Sequence, residues 1–446
     1  MNFSIIKKSE LEGALRIDAE YYQLEYLELN QKLVSIAHVK LGEIAFITDG
    51  EHGSPIFDES SGIKYFSAQH PQDGFIDSDA KMISKVIDTK NKRSSLKVGD
   101  VLLSTVGTIG NAGIVTEDLL PANIDRHVAR IALNKGTISP EFLIAFLISK
   151  FGKFQSIRES TGNVQLNLFI DKIKDFIIPS IKNIDVTRLM QQSLSEREKS
   201  KSLYFQAENL LLEELGLKNF EAEIKRELWS VVDLSVAQKV NRIDADYFQP
   251  KYQKLMSLIR ANSGMVLGEI ATVKKGFEPG SEAYQEEGKL FIRVSSISKD
   301  GVIDKDQKYL KEELYEKLKK EYQPKVGEIL LTKDASPGMA YVVKEPIEGV
   351  VSGGVLRVKI KENIEPEYLA LVINSVVGQL QVERDAGGSI IMHWKPDQVK
   401  EMQIPILSKP IQQQIAELVQ KSHEARKKAK ELLEEAKNKV EELIEN

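Results

Sequence analysis

Cysteine is absent from the 446 residues of this chain. Disulfides, thiolate zinc sites, iron–sulfur clusters and thiol nucleophiles are thereby excluded, and a reducing cytoplasm is the expected compartment. Long apolar runs are missing as well: the longest, such as Phe142 to Ile148, fall far short of the ~20 residues a membrane helix needs. Met1 to Gly13 carry mixed charge with no sustained apolar core, so neither an export signal nor a membrane anchor is expected. A net positive charge is missing too. The formal net charge is −5, with 16 basic and 17 acidic residues from Leu41 to Lys182 and 20 and 23 from Leu267 to Ser408. Non-specific affinity for nucleic acid comes from Lys and Arg neutralising phosphates, so this is not a DNA-coating protein. Any DNA surface has to be a local basic face or one completed by a partner.

Catalytic constellations are missing in the same way. His38, His52, His70, His127, His393 and His423 show no metal-ligand spacing and are expected at surfaces and in loops. There is no Walker A pattern and no G-x-S-x-G elbow. Gly107-Thr-Ile-Gly-Asn-Ala-Gly113 misses the G-x-G-x-x-G spacing, and its counterpart Ser336-Pro-Gly-Met-Ala340 lacks those glycines; a tight turn after a strand is the expectation. Strings such as Asp88-Thr-Lys90 are too common to mark a nuclease, and Glu435-Ala-Lys437 lies on a solvated helix face. An adenine methyltransferase would carry an Asn/Asp-Pro-Pro-aromatic motif, yet no Pro-Pro occurs. No catalytic residue, metal site or resident cofactor is expected.

What is present is a repeat. Composition is that of a soluble globular protein, 42% hydrophobic and 28% charged, and the length suits two or three domains. Arg16-Ile-Asp-Ala-Glu-Tyr-Tyr-Gln returns at Arg242 as Arg-Ile-Asp-Ala-Asp-Tyr-Phe-Gln, an offset of 226 that also carries Leu41-Gly-Glu-Ile-Ala onto Leu267-Gly-Glu-Ile-Ala. Lys97-Val-Gly-Asp-Val-Leu-Leu-Ser-Thr matches Lys325-Val-Gly-Glu-Ile-Leu-Leu-Thr-Lys at 228, and Pro140 with Pro366 and Ile178-Pro179 with Ile404-Pro405 return to 226. A period this long means two copies of a whole domain.

Each copy opens on a short helix led by Arg16 or Arg242, continues into a mixed α/β globule, and closes on a long helix. Asp100 to Ser104, Glu328 to Thr332 and Val355 to Ile360 read as buried strands; Glu141 to Phe151 and Glu367 to Val377 read as helices. In the last helix Ile415, Leu418, Ser422, Ala425, Ala429, Leu432, Ala436, Val440 and Leu443 form a heptad seam, with Glu417–Lys421, Glu424–Lys428 and Glu435–Lys439 as supporting pairs. Leu189, Ser193, Ser200, Leu203, Ala207 and Leu211 take the same places in the first copy. The expected fold is α+β: two tandem-repeat mixed α/β globular domains separated by two long antiparallel heptad helices. The expected ranges are 1–182 and 218–408 for the globules with their leading helices, and 183–217 and 409–446 for the long helices.

Two globules, each followed by a long helix, resemble the specificity subunits of Type I restriction-modification systems. The local motifs match in order: Thr48-Asp-Gly-Glu-His-Gly-Ser-Pro55, Gly62-Ile-Lys-Tyr-Phe66, Asp73-Gly-Phe-Ile-Asp77, Asp100 to Gly110, and Gly162-Asn-Val-Gln-Leu-Asn167 leading to Ile178-Pro179. Lys275-Gly276, Leu290 to Val294, Gly327 to Thr332 and Gly387-Gly-Ser389, leading to Ile404-Pro405, are the second set. The resemblance implies a non-catalytic subunit in which each globule reads one half of a bipartite site in double-stranded DNA. The helix pair would set the gap, two methyltransferase subunits would dock, and a translocase-nuclease subunit can join. S-adenosylmethionine and ATP would belong to those partners. Two other readings stay open: a coiled-coil scaffold that does not bind DNA, and a fragment of a larger restriction enzyme whose catalytic domain lies on another chain.

Direct readout needs side chains that reach base edges: Arg or Lys for guanine, Asn or Gln for adenine, and Ser, Thr or His as adaptable partners. In the first globule the candidates are Thr48, His52, Ser54, Gln69, His70, Lys92, Arg93, Thr108, Asn111, Arg126, His127, Asn163 and Gln165. In the second they are Lys274, Lys275, Arg293, Ser296, Lys333, Ser336, Arg384, Ser389, His393 and Lys395. Trp394, just before the helix start at Lys395-Pro396, is expected to be a packing anchor.

Overall fold

The computed structural model describes residues 4–9, 11, 16–162, 165–181, 183–218, 220, 229–303, 307–388 and 391–446. Two compact units emerge: unit 1 is Met1–Glu198 with Arg426–Asn446, and unit 2 is Lys199–Ala425. Each unit thus includes a stretch of both long helices.

The strands of unit 1 are β1 (Ala45–Asp49), β2 (Val101–Ser104), β3 (Ala112–Ile114) and β4 (Val128–Leu133). They form an antiparallel sheet in the order β1-β4-β2-β3, with Ile47 and Val101 both opposite Ile131. In unit 2, β5 (Ala271–Lys275), β6 (Ile329–Thr332), β7 (Ala340–Val342) and β8 (Val355–Ile360) repeat that order as β5-β8-β6-β7. β2 and β6 are buried along their whole length, which explains why they read as unbroken apolar runs. Gly99 and Gly327 enter them at φ of +84° and +86°, a conformation that needs glycine.

Two helices back each sheet. The sequence predicts continuous helices to Phe151 and Val377, but Ser149 and Ser375 are extended and split them into Pro140–Ile148 with Lys150–Glu159 and Pro366–Asn374 with Val376–Asp385. Each serine hydroxyl donates to a carbonyl of the helix it ends, Phe146 at 2.6 Å and Val372 at 2.9 Å, competing with the backbone. Glycine then allows the second helix to abut the first. A Cβ on Gly152 would lie 2.4 Å from Leu147 Cα, and one on Gly378 2.1 Å from the Ile373 carbonyl oxygen.

The long helices are α1 (Ile184–Glu214) and α2 (Lys409–Glu445), and they run antiparallel. In unit 1 the Ser193 hydroxyl donates 2.7 Å to the Ala429 carbonyl; in unit 2 the Ser422 hydroxyl donates 2.7 Å to the Ser200 carbonyl. Seven residues forward on α1 therefore match seven back on α2. The seam departs from a strict heptad at three places, where Val419, Leu433 and Ile444 are buried and the predicted Leu418, Leu432 and Leu443 are half-buried. A helix of 3.6 residues per turn drifts off a 3.5-residue repeat, and the neighbouring apolar residue takes over. Of the predicted pairs, Glu417–Lys421 forms at 3.7 Å, while Lys439 reaches Glu442 rather than Glu435. The core of unit 1 joins Val101, Leu103 and Phe146 to Met190, Leu433 and Ala436; that of unit 2 joins Ile329, Leu331, Tyr368 and Trp394 to Leu211, Ile415 and Val419.

Two polar devices recur at equivalent positions. Arg16 and Arg242 do not start helices, which begin at Leu24 and Pro250. Instead Arg16 binds Asp18 through two 2.8 Å bonds and stacks on Tyr21, whose other neighbour is Arg158; Arg242, Asp244, Tyr247 and Arg384 repeat this brace. Within each sheet lies a buried ion pair, Arg130 Nε to Asp100 at 2.6 Å and Arg357 Nε to Glu328 at 2.8 Å.

Candidate nucleic-acid interface

The loops at one end of each sheet are held by matching backbone bonds. In unit 1 the Glu51 amide donates to the Ile124 carbonyl, Asp125 to Phe66, Val128 to Asp125, Thr105 to His127 and Leu168 to Thr105. In unit 2 Phe277 donates to Val351, Ser352 to Ile292, Val355 to Ser352, Lys333 to Gly354 and Trp394 to Lys333. Five bonds on the same frame fix the correspondence: Glu51 with Phe277, Asp125-Arg126-His127 with Ser352-Gly353-Gly354, Thr105 with Lys333, and Leu168 with Trp394. The β-bridges agree, since Asn167 pairs with Val106 and Thr161 as His393 pairs with Asp334 and Gly387.

In unit 1 this frame surrounds a cleft of about 790 Å³ that gathers His52, Ser54, Gln69, His70, Arg126 and His127, residues scattered over 76 positions of sequence. Arg126 is exposed, and its Nε donates 3.1 Å to His127 Nε2, while His127 Nδ1 lies 3.2 Å from Asp125. The ring thus accepts from the arginine and donates to the carboxylate. Burial pushes the Asp125 carboxyl up, against the lowering pull of the His127 N–H groups. At the other wall Glu51 is buried yet held below its usual range, first by the Asn91 side-chain amide and then by the Gly53 N–H. Phe57 and Tyr65 supply aromatic surface, with Lys81 5.1 Å from the Phe57 ring centre. Polar donors, acceptors and flat apolar faces in one concavity can hold a base or a sugar-phosphate edge.

A chain of contacts ties the neighbouring loop to this cleft. Arg93 donates to Thr48 Oγ1 at 2.7 Å and pairs with Asp49 at 3.0 Å, and Asp49 in turn takes His52 at 2.7 Å. Thr48 is buried and serves this loop. Lys92 is exposed beside Arg93. Thr108 donates 2.7 Å to the Ala68 carbonyl next to Gln69, and Asn111 closes the hairpin turn through Thr108 and Ser104. Gln165 is exposed, whereas Asn163 lies outside the described residues. His70 lines the cleft but is buried, its Nδ1 accepting from the Ser67 N–H at 2.8 Å and its Nε2 donating to the Asp79 carbonyl.

In unit 2 the polar groups sit elsewhere on the frame. Lys333, largely buried, and His393, exposed, both bind Asp334, with His393 Nδ1 at 2.7 Å. Lys274 and Lys275 are exposed at the end of β5, where Lys275 pairs with Glu278 at 3.0 Å. Ser336 is exposed on the turn after β6, and Lys395 is exposed at the helix start, where it caps Pro396–Lys400. Trp394 is completely buried, as expected of an anchor. Two further candidates are engaged within the fold. Ser296 is completely buried, its hydroxyl accepting from the Arg293 N–H, and occupies the place that His70 has in unit 1. Arg384 is locked to Asp385 at 2.7 Å within the tyrosine brace. Ser389 lies outside the described residues.

Asp125, Glu51 and Asp334 are not base-reading types, and Asn167 is of such a type and ends the Gly162–Asn167 run but was not among the candidates. The carboxylates carry the wrong charge for a phosphate surface, and the place of Asn167 on the frame follows from its correspondence with His393.

Known proteins resemble parts of this chain. Residues 264–441 match the family described as the Type I restriction modification DNA specificity domain. The chain is 34% identical over 123 residues to the specificity subunit of the Type I restriction enzyme EcoBI of Escherichia coli, a match covering 27% of this chain and 26% of that protein. It therefore spans about a quarter of that relative's length. Among solved structures, the S subunit of a Type I restriction-modification system from M. genitalium has a TM-score of 0.39 and 15% identity, covering 92% of this chain and 94% of that one. The HsdS subunit of Thermoanaerobacter tengcongensis has a TM-score of 0.28 and 16% identity, covering 90% and 96%. Unit 1, with the same strand order and frame bonds, repeats the fold of unit 2.

Proposed function

We propose that this chain is a non-catalytic specificity subunit in which each unit reads one half of a bipartite duplex site for two methyltransferase subunits. The observation that carries the reading is the common frame at the sheet ends. It gathers six predicted reader residues into one cleft in unit 1, and the equivalent frame in unit 2 lies within the DNA specificity match. Near-neutral charge fits a reader whose phosphate contacts are shared with partners. Two copies of one partner are supported by Ile17 and Ile243, which sit at the 226 offset beside the two tyrosine braces and are 89% and 92% exposed. S-adenosylmethionine, and ATP where a translocase joins, belong to the partners in this reading. No described helix is long and apolar enough to cross a membrane. Methylation mapping of cells with and without the gene tests the proposal. A bipartite motif methylated only when the gene is present is expected. Identical maps would reject it in favour of a scaffold.

In this reading α1 and α2 also set the gap between half-sites. Because the seam pairs Ser193 with Ala429 and Ser200 with Ser422, an insertion has to be made in both helices to keep its register. Four residues added to each, near Ser200 and Ser422, lengthen an α-helix by about 6 Å, roughly two base pairs of 3.4 Å. The methylated motif should keep its bases and gain a longer gap. A functional variant with an unchanged gap would leave the helices only as a docking surface.

A further inference from the structure

The frame correspondence shows that the two units put polar side chains at different points of one backbone. Unit 1 carries Arg126 and His127 where unit 2 has Gly353 and Gly354. The space above Gly353 is filled by acid: a Cβ built there would meet Glu278 Oε1 at 2.2 Å, the oxygen that Lys275 binds at 3.0 Å. An arginine beside β4 in unit 1 is thus replaced by a carboxylate beside β8 in unit 2. The reverse holds at the turn after the central strand. There unit 1 has Thr105 and Val106, bridged to Asn167, and unit 2 has Lys333 and Asp334, bridged to His393.

We propose that Arg126 specifies a guanine in the half-site of unit 1, and that in unit 2 this role has moved to His393, which specifies a base presenting an exocyclic amino group. The inference rests on the DNA-reading function proposed above. Arg126 uses only Nε in its bond to His127, which leaves the two terminal nitrogens as the fork that matches guanine O6 and N7. His393 is exposed, with Nδ1 engaged by Asp334. That bond places the proton on Nδ1 of the neutral ring and leaves Nε2 as an acceptor, which suits adenine N6 or cytosine N4 and not guanine O6. Different half-sites then arise without altering the frame: the five backbone bonds stay and the side chains change places.

The test is methylation mapping in the native cells, with the chromosomal gene carrying Arg126→Gln or His393→Ala. Arg126→Gln should relax the requirement for one guanine in one half of the motif, with a loss of preference on the order of 10-fold to 100-fold, and leave the other half intact. His393→Ala should relax one adenine or cytosine in the opposite half. Arg126→Lys, which keeps the charge without the planar fork, should retain the guanine at reduced preference. Three results would overturn the proposal: an unchanged motif, both variants altering the same half, or loss of all methylation in Arg126→Gln and Arg126→Lys alike while chain abundance and melting temperature are unchanged. If the unaltered gene gives no gene-dependent motif, the DNA-reading function fails first and this inference with it.

Discussion

Arg357→Met is expected to destabilise unit 2 by about 3–5 kcal/mol, because it leaves a buried carboxylate without its partner. Glu328 and Arg357 are each only 8% exposed, and the guanidinium makes two bonds to the carboxylate, at 2.8 and 2.9 Å. Burial pushes the Glu328 carboxyl up, yet the Arg357 bonds and the Lys325 N–H outweigh it and hold the group below its usual range. A depressed carboxyl contributes stability that is present above its unfolded pKa of about 4.3 and is lost as pH falls through the lower folded value. In Arg357→Met the upward push of burial wins, so the gap between native and variant chains should narrow as pH falls from the raised carboxyl of the variant through the depressed one of the native chain. The double variant Arg357→Met with Glu328→Leu should recover most of the loss, since a buried pair exchanged for apolar groups is often close to neutral. Hydrogen exchange followed by peptide reads each unit separately. Faster exchange in β6 and β8 with unit 1 unchanged is the expected pattern. Equal exchange in native and variant chains would show that the pair contributes nothing.

The equivalent pair in unit 1, Arg130 with Asp100, shows how far the repeat alone carries a reading. Offsets of 226 to 228 placed the strands, the Gly99 and Gly327 turns and the long helices correctly, because these depend on apolar period and turn chemistry that sequence displays directly. The helix breaks at Ser149 and Ser375 were hidden, since each lies inside an unbroken apolar pattern and depends on a hydroxyl turning back to a carbonyl. The recognition candidates fared according to what local sequence can reveal. Loop residues such as the exposed Arg126 and the half-buried His127 could be named by type. That His70 and Ser296 are equivalent buried loop anchors could not, because one is an imidazole and the other a hydroxyl, and only matching backbone bonds unite them. Arg384, a candidate by type, is held by Tyr247 and Asp385, neither of which its local sequence marks as a partner. Arg126 and Arg384 share type and charge and differ in what holds them: one bond through Nε to His127, against an ion pair with Asp385 and the ring of Tyr247.

Trp394→Ala should be as costly as breaking the ion pair, at about 3–5 kcal/mol, because truncating a fully buried aromatic leaves a large cavity. Trp394 is completely buried, lies in the main core of unit 2, and donates its backbone N–H 2.7 Å to the Lys333 carbonyl. It stands between the core and the turn bearing Lys333, Asp334 and His393, so its loss should reach recognition as well as folding. In unit 1 the same place is taken by Leu168, whose N–H donates 2.9 Å to Thr105. That correspondence supplies a milder variant. Trp394→Leu keeps apolar contact and removes a buried indole N–H that has no hydrogen-bond partner, so part of the packing loss is offset. The expected order of stability is native, then Trp394→Leu, then Trp394→Ala. In methylation maps Trp394→Ala should blur only the half-site altered by His393→Ala, while the half governed by Arg126 stays sharp. If Trp394→Ala melted with the native chain, the indole would not be the anchor of this turn; if both half-sites blurred together, the two units would not fold and read independently.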